Sequence, residues 1–533
     1  MIDINSVEQE IDSAFDSNAL TNVPWTQSAW TLLSVVEDHH FNIAVVHPLP
    51  KREAAIYVDG LVNALTYPLR ALHRRAPRMV ATLDHRYIEE HYALAQEWLD
   101  AAEDYSHFCS IFPLYYAKEI ELTINGDSLK PTDWSKTDLS YEAYDRFVAK
   151  REPEREHQLD AGPICSTLRT CIRSSGGRYS IEFTRRLWDA LERHLAPAFE
   201  TRHILPADWQ FSHFSLAQYR AVFTCLQISA QAWFVARQIV APSVLGLAYE
   251  SAVWTPRREA LFKQLSRQTG LTLGTVRDII RYLTFGEVGV RNPDAAIQPL
   301  VDLGNGHFGI SPFLVTNIDA ERNLCVLLNQ VPQDRTLYSA LVDQKEQHIR
   351  AETIQSLQLL GLHFKHGEIG STDVDLAIID HASKVCLCIE LKWFIEPAEI
   401  REVMMRSEEL QKGVAQAKLL NSLFAKSDGR LLALLGIDGG YEFQAMVGSV
   451  NFIGRPGIQT PDIPITKLWH VVSKIKETGS LAMAVRWLKL REYLPVNGRD
   501  YAIQEVPIKC GRWRSRWYGI APPHPSRGNT AGR

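Results

Sequence analysis

Several features that would define a protein class are missing from this chain. No run of about 18 uncharged apolar residues appears, so no membrane-spanning helix is expected. The opening MIDINSVEQEIDS lacks the basic stretch and apolar core of a signal peptide, which makes the cytoplasm the expected location. None of the 8 cysteines forms a CxxC pair. Cys386 and Cys388, two apart in an apparent strand, share one face; core thiols in a reducing compartment account for the set better than disulfides or zinc. There is no GxxxxGK followed by Ser or Thr, and no GxGxxG after a strand, so neither an NTP motor nor a dinucleotide enzyme is indicated. A net charge of −5 excludes a globally basic surface, and any nucleic-acid site must be a local patch.

With 533 residues, 46% of them hydrophobic, the chain is long enough for two to four compact units with real cores. Residues 1–250 are mostly helical in pattern, as in YIEEHYALAQEWLDAAEDY (87–105) and AQYRAVFTCLQISAQAWFVARQIV (217–240). AKREPEREHQLDAGP (149–163) interrupts them as a linker or exposed loop, and KEIELTIN (118–125) alternates enough for a strand. The histidines here, among them His39, His40, His73, His194 and His203, never stand at helical i, i+4 spacing, and structural roles are expected over a metal site. This region carries no recognisable chemistry; a partner protein or a second copy of the chain is the expected ligand if it binds one.

From Thr255 the texture changes. TPRREALFKQLSRQTGLTLGTVRDIIRYLTFG holds two helical patterns broken at Gly270, with Leu265, Leu271, Leu273, Val276 and Ile279 spaced to pack a helix-turn-helix. Thr272 suits the second N-cap, leaving Arg277 and Arg281 on the outer side as candidate nucleic-acid contacts. VDLGNGHFGISP (301–312) reads as a hairpin with a Gly-Asn-Gly turn, and the segment resembles a winged-helix module. It either touches DNA or serves packing and protein contact.

LYSALVDQKEQHIRAETIQSLQLLG (337–361) is a helix ended by Gly361. At about 100° per residue, Val342, Ile349, Thr353, Leu357 and Leu360 all lie within about 60° of Glu346, which places a carboxylate on the apolar face, whereas Glu352 is turned about 120° away. Next comes DVDLAIIDHASKVCLCIELKWF (373–394). If HASK (381–384) is the turn, Asp375 stands opposite Glu390 and Asp373 opposite Lys392. Two acids and a lysine thus converge at one end of a hairpin. Facing carboxylates repel, and a cation between them relieves it; an all-oxygen site suits Mg²⁺ or Mn²⁺.

Together these residues resemble the PD-(D/E)xK nuclease superfamily, with its restriction-endonuclease-like fold, over roughly 337–480. The resemblance implies that Asp375 and Glu390 hold the metal with the Leu391 carbonyl, that Lys392 orients or deprotonates the attacking water, and that Glu346 assists. Asp373 is an alternative ligand. Val374 replaces the proline of the family's name. Gln416, in the helix REVMMRSEELQKGVAQAKLLNSLF (401–424), stands where related nucleases carry a polar residue, although mid-helix glutamines are ordinarily solvated. LLALLGI (431–437) and FQAMVGSVNFIG (443–454) are expected as strands, completing an α-β-β-β-α-β order. KCGRWRSRWYG (509–519) interleaves Arg512, Arg514 and Arg516 with Trp513, Trp517 and Tyr518; base stacking is one reading, and a half-buried edge strand with its arginines outward is the favoured one. The final APPHPSRGNTAGR is expected to be disordered.

The expected fold class is therefore multidomain α+β: a helical region (1–250), a winged-helix-like module (251–335), a nuclease-like α/β core with a mixed sheet flanked by helices (336–500), and a C-terminal strand and tail (501–533). The expected function is Mg²⁺- or Mn²⁺-dependent hydrolysis of phosphodiesters, with DNA as the first substrate and restriction or defence against phage or plasmids as the setting. The alternatives are an RNA or DNA-repair nuclease, and a nuclease-like core that only binds or assembles.

Overall fold

The computed structural model describes residues 3–78, 82–131, 139–148, 162–175, 177–200, 205–370, 372–394, 397 and 400–523. It is a mixed α/β structure. The chain divides into two compact units: Met1–Cys109, Pro153–Ser339 and Ile508–Arg514 form one, and Ser110–Glu152, Ala340–Pro507 and Ser515–Arg533 the other. The division after Ser339 lies beside the expected 335/336 boundary. Residues 251–335, however, share a unit with most of the first 250, and Ser110–Glu152 goes with the C-terminal sheet. The expected linker 149–163 falls almost wholly outside the described residues, as does most of the tail APPHPSRGNTAGR.

The first unit is built on helices that are apolar nearly all round, as fully buried helices must be. Trp25–Phe41 and Leu216–Val240 bury most of their length, and the second starts with a capping box in which Ser215 and Gln218 bond reciprocally. Their interior carries charge, and each charge has a partner. Arg237, 1% exposed, donates to the Leu247 carbonyl at 3.0 Å and the Glu37 carbonyl at 3.1 Å, and pairs with Asp38. The Glu37 carboxyl accepts from the Ser311 hydroxyl and from the Phe313 N–H at 2.9 Å, at the start of the helix Pro312–Asn317.

The expected helix-turn-helix is present as Arg258–Thr269 and Leu273–Leu283. Gly270 sits between them at φ +72, and the Thr272 hydroxyl accepts from the Thr275 N–H at 3.2 Å. The hairpin also forms, pairing Leu300–Asp302 with Phe308–Ile310 around Gly304 and Gly306, both at positive φ. It does not stand free as a wing would. The Trp25 indole donates to the Asp302 carbonyl at 2.7 Å and the Thr26 hydroxyl to the Leu303 carbonyl at 2.6 Å, so the turn is tied to the helix Trp25–Phe41.

In the second unit five strands form one mixed sheet: β1 (His363–Ile369), β2 (Thr372–Asp380), β3 (Val385–Lys392), β4 (Glu442–Ser449) and β5 (Ile465–Lys467). Their spatial order is β5-β4-β3-β2-β1, antiparallel from β1 to β3 and parallel from β3 to β5. Before the sheet comes helix α1 (Pro332–Leu357), and between β3 and β4 comes helix α2 (Ile400–Ala425). The segment LLALLGI is not a strand. It forms helix α3 (Gly429–Leu435), capped by Asp428, whose carboxylate accepts the Arg430 and Leu431 N–H groups, and closed by left-handed Gly436. A run of apolar residues fits a buried strand or a short helix equally, and the flanking Asp and Gly caps decide between them.

Both faces of β3 are covered, which is why it reads as an almost unbroken apolar run. On one face α2 packs its Leu410, Val414, Ala417 and Leu420 into the core, while on the other a Cβ at Gly448 would meet Ile389 at 2.6 Å and Leu468 at 3.3 Å. Cys386 and Cys388 are fully buried between these layers, and among the described residues no cysteine is in a disulfide. Tyr144 explains why Ser110–Glu152 belongs to this unit: its hydroxyl meets Thr466 Oγ1 at 2.6 Å and His470 Nδ1 at 3.0 Å and accepts the Lys467 N–H at 3.2 Å. The C-terminal strands Ala502–Cys510 and Trp513–Ala521 join Leu122–Asn125 and Ser128–Pro131 in a four-stranded sheet. Trp513, Ser515 and Trp517 point inward while Arg514 and Arg516 are exposed, the alternation expected of a half-buried strand; its place is inside the sheet, not at the edge.

Glu37 makes the stability of the first unit depend on pH. Burial pushes its carboxyl from 4.5 up to about 7, against the pull of Ser311, Phe313 and Arg237. A carboxyl raised on folding stabilises the fold below its unfolded value and loses that contribution as pH rises through the folded value. Burial lowers His40 and His85 to about 4, and they oppose this trend, so Glu37 is read by difference: between pH 4 and pH 8 the wild-type protein should lose on the order of 3 kcal/mol of stability relative to Glu37→Gln in denaturant titrations. Equal slopes in the two proteins would contradict this assignment.

Candidate active site

The hairpin of β2 and β3 keeps the expected register from Asp380↔Val385 to Leu376↔Ile389. His381 to Lys384 make the turn, closed by Asp380, whose carboxylate accepts from the Ala382 and Ser383 N–H groups. One residue further the ladder stops. Asp375 does not pair with Glu390 through the backbone; its Oδ2 accepts the Leu391 N–H at 2.8 Å instead. The strands part here, and a carboxylate takes the position that a backbone carbonyl would hold. By strand alternation, the Leu391 carbonyl lies on the same side as its N–H.

Three groups meet at this opening. Lys392 Nζ stands 2.7 Å from Glu390 Oε1, with Glu390 only 1% exposed. Glu390 Oε2 is buried without a hydrogen-bond partner. Such an orphaned oxygen needs either a proton or a cation, since a buried unpaired acceptor costs about 1–3 kcal/mol. Burial first, and then the negative charge of Asp375, push the Glu390 carboxyl up to about 7. Burial raises Asp375 as well, opposed by the Leu391 N–H. Burial alone would lower Lys392, but Glu390, Glu346 and Asp375 together hold it above its ordinary value as an ammonium. The two acids therefore compete for one compensating positive charge.

The remaining expected residues are arranged around this centre. Glu346 is half-buried on α1 and acts on Lys392; Thr353 and Leu357 on the same face are buried, and Glu352 is exposed beside His348. Asp373 is in register with Glu368 on β1, and Gln416 Nε2 on α2 reaches its Oδ1 at 3.5 Å. Asp375 is thus the aspartate joined to β3, and Asp373 is turned toward Gln416. Arg277 and Arg281 belong to the other unit, both exposed; Arg277 pairs with Glu259 at 3.0 Å and lies over the Phe262 ring.

Two contributors were not identified from the sequence. Arg350 donates to the Asp375 carbonyl at 3.2 Å, fixing the backbone where the strands separate. Gly413, inside α2, faces the ion pair: a Cβ there would meet Lys392 Cε at 3.2 Å and Glu390 Cγ at 3.4 Å. A glycine within a helix costs about 1 kcal/mol against alanine, so a glycine inside the helical pattern of 401–424 was the available clue.

Among the described residues no group of three His, Cys, Asp or Glu side chains forms a ready metal cage. The donor set is two carboxylates, one with an uncommitted buried oxygen, beside a strand carbonyl. That set fits Mg²⁺, which is typically held through one or two carboxylates and keeps several waters. Compared with family models, with curated proteins and with solved structures, the chain matches none.

Gly413→Ala should displace Lys392, the more movable neighbour, from Glu390 while adding helix propensity. The thermal midpoint should stay within a few degrees, and Lys392 should acetylate severalfold faster when followed by peptide mass spectrometry. An unchanged Lys392 rate would show that the glycine is not needed for clearance.

Proposed function

We propose that the second unit is a metal-dependent nuclease hydrolysing phosphodiester bonds, with DNA the substrate to test first. The observation that carries this reading is Glu390 Oε2, an unpartnered buried carboxylate oxygen, beside Asp375 and next to a lysine held as an ammonium. The restriction-endonuclease-like arrangement is supported by the order α1, β1, β2, β3, α2, β4 and by the acids lying where the central hairpin opens.

Asp375, Glu390 and the Leu391 carbonyl would hold Mg²⁺ or Mn²⁺, which when bound acidifies water and offsets charge on the phosphate. Lys392 then presents its ammonium to a phosphate oxygen, where a charge-assisted hydrogen bond strengthens as negative charge grows in the transition state. Glu346 keeps Lys392 protonated, and Gln416 holds Asp373. Water adds to phosphorus and gives up a proton, one P–O ester bond breaks, and the departing alkoxide takes up a proton to leave as the alcohol. Arg277 and Arg281 are proposed as phosphate contacts that hold nucleic acid without reading sequence.

Labelled single- and double-stranded DNA and RNA should be incubated with purified protein in Mg²⁺, Mn²⁺ or EDTA. Cleavage is expected with either metal and none with EDTA. Lys392→Ala should reduce it by about 100-fold or more. Asp375→Asn and Glu390→Gln should in addition abolish Mn²⁺ binding measured by electron paramagnetic resonance. Metal-independent cleavage, or full activity in Lys392→Ala, would refute the assignment; DNA binding without any cleavage would favour the scaffold alternative. Separately, replacing both Arg277 and Arg281 by alanine should reduce the slope of log affinity against log salt by about 2.

A further inference from the structure

Away from Asp375 and Glu390, an open cleft of about 540 Å³ lies between α2 and the edge of β4. It exists because β5 pairs only with Val447, Gly448 and Ser449, leaving the first half of β4 without a neighbouring strand on that side. Side chains take over the exposed backbone there. Asn421 Oδ1 accepts the Ala445 N–H at 3.0 Å, while Gln444 Nε2 donates to the Ala445 carbonyl at 2.6 Å and to the Asp462 carbonyl at 3.0 Å.

These bonds leave one half of each amide uncommitted. Both hydrogens of Gln444 Nε2 are used, which fixes the side chain, and its Oε1 makes no hydrogen bond among the described residues and faces the cleft. Asn421 likewise has an amide NH₂ to spare. A hydrogen-bond acceptor and a donor, anchored on the same residue, therefore line the cleft together. That combination complements a planar group bearing a donor beside an acceptor, as the pairing edge of a nucleobase does.

The charged groups in and beside the cleft narrow the ligand further. Lys489 is paired with Glu442 at 2.5 Å, whereas Lys418 is exposed and makes no ion pair among the described residues. Asp462 adds a carboxylate. Two lysines against two acids give no surplus for a polyanion; one unpaired ammonium suits a single phosphate, and a carboxylate suits the hydroxyls of a ribose. The volume lies in the range of small-molecule sites. We propose that this cleft binds a nucleoside 5′-monophosphate, its base on Asn421 and Gln444, its phosphate on Lys418 and its ribose at Asp462. This site is independent of the proposed nuclease centre.

Equilibrium dialysis of the full chain in EDTA against AMP, CMP, GMP, UMP, adenosine and inorganic phosphate tests the assignment. At least one nucleotide is expected to bind with a sub-millimolar Kd, and inorganic phosphate more weakly. Lys418→Ala, an exposed substitution, should raise the nucleotide Kd about tenfold and leave adenosine unchanged. Asn421→Asp keeps the acceptor for Ala445 but removes the donor, and should also weaken nucleotide binding. No nucleotide bound at millimolar concentration, phosphate binding as tightly as nucleotide, or an unchanged Kd in either variant would overturn it.

Discussion

The candidate site depends on one hydrogen bond, from the Leu391 N–H to the Asp375 carboxylate at 2.8 Å. Up to Leu376 and Ile389 the hairpin is an ordinary antiparallel ladder, and its side chains are core. Beyond that pair the backbone partner is replaced by a side chain, and the strands separate by enough to admit polar groups. A carboxylate in a ladder position is charged where a carbonyl is neutral. Around it, burial and then the Asp375 charge raise Glu390, while Glu390, Glu346 and Asp375 keep Lys392 protonated against its burial and Arg350 secures the Asp375 carbonyl.

Burial makes these interactions strong, and the surrounding layers create the burial. Helix α2 covers the face carrying Glu390 and Lys392, and at Gly413 even a Cβ would crowd both side chains. Apolar residues at this position would pack as well as those elsewhere in the sheet. A buried ion pair left with an unpartnered oxygen is therefore a costly arrangement for stability alone, and such costs are characteristic of sites that act on a ligand. The first unit shows the contrasting case. Arg237 and Glu37 are fully buried and Asp38 partly so, but each has partners within the protein, and their role there is to hold the long helices together.

Much of this was legible in the sequence. The four-residue turn at HASK was enough to place the register, because in a hairpin the length of the loop fixes which residues stand opposite each other. Gly270, Thr272 and the Gly-Asn-Gly turn marked their elements through local backbone chemistry that no distant contact needs to supply. LLALLGI was misread as a strand because its apolar residues suit either structure, and the deciding Asp428 and Gly436 caps flank the run. The hairpin after the helix-turn-helix was legible as a hairpin, but its attachment to Trp25 and Thr26 was not, since those residues lie far away in sequence.

The sequence by itself determined which residue types stand at which points of each strand and helix: Asp375 and Glu390 at the open end of a hairpin, and Lys392 on the same face as Glu390. These follow from short-range periodicity, which is a property of the backbone. Only the tertiary structure decided that Asp375 bonds Leu391, that Asp373 turns to Gln416, that one oxygen of Glu390 is left without a partner, and that Gly413 closes over the pair. Those outcomes depend on how far a helix approaches a sheet and on how much water is excluded, and neither distance nor dielectric is encoded in local spacing.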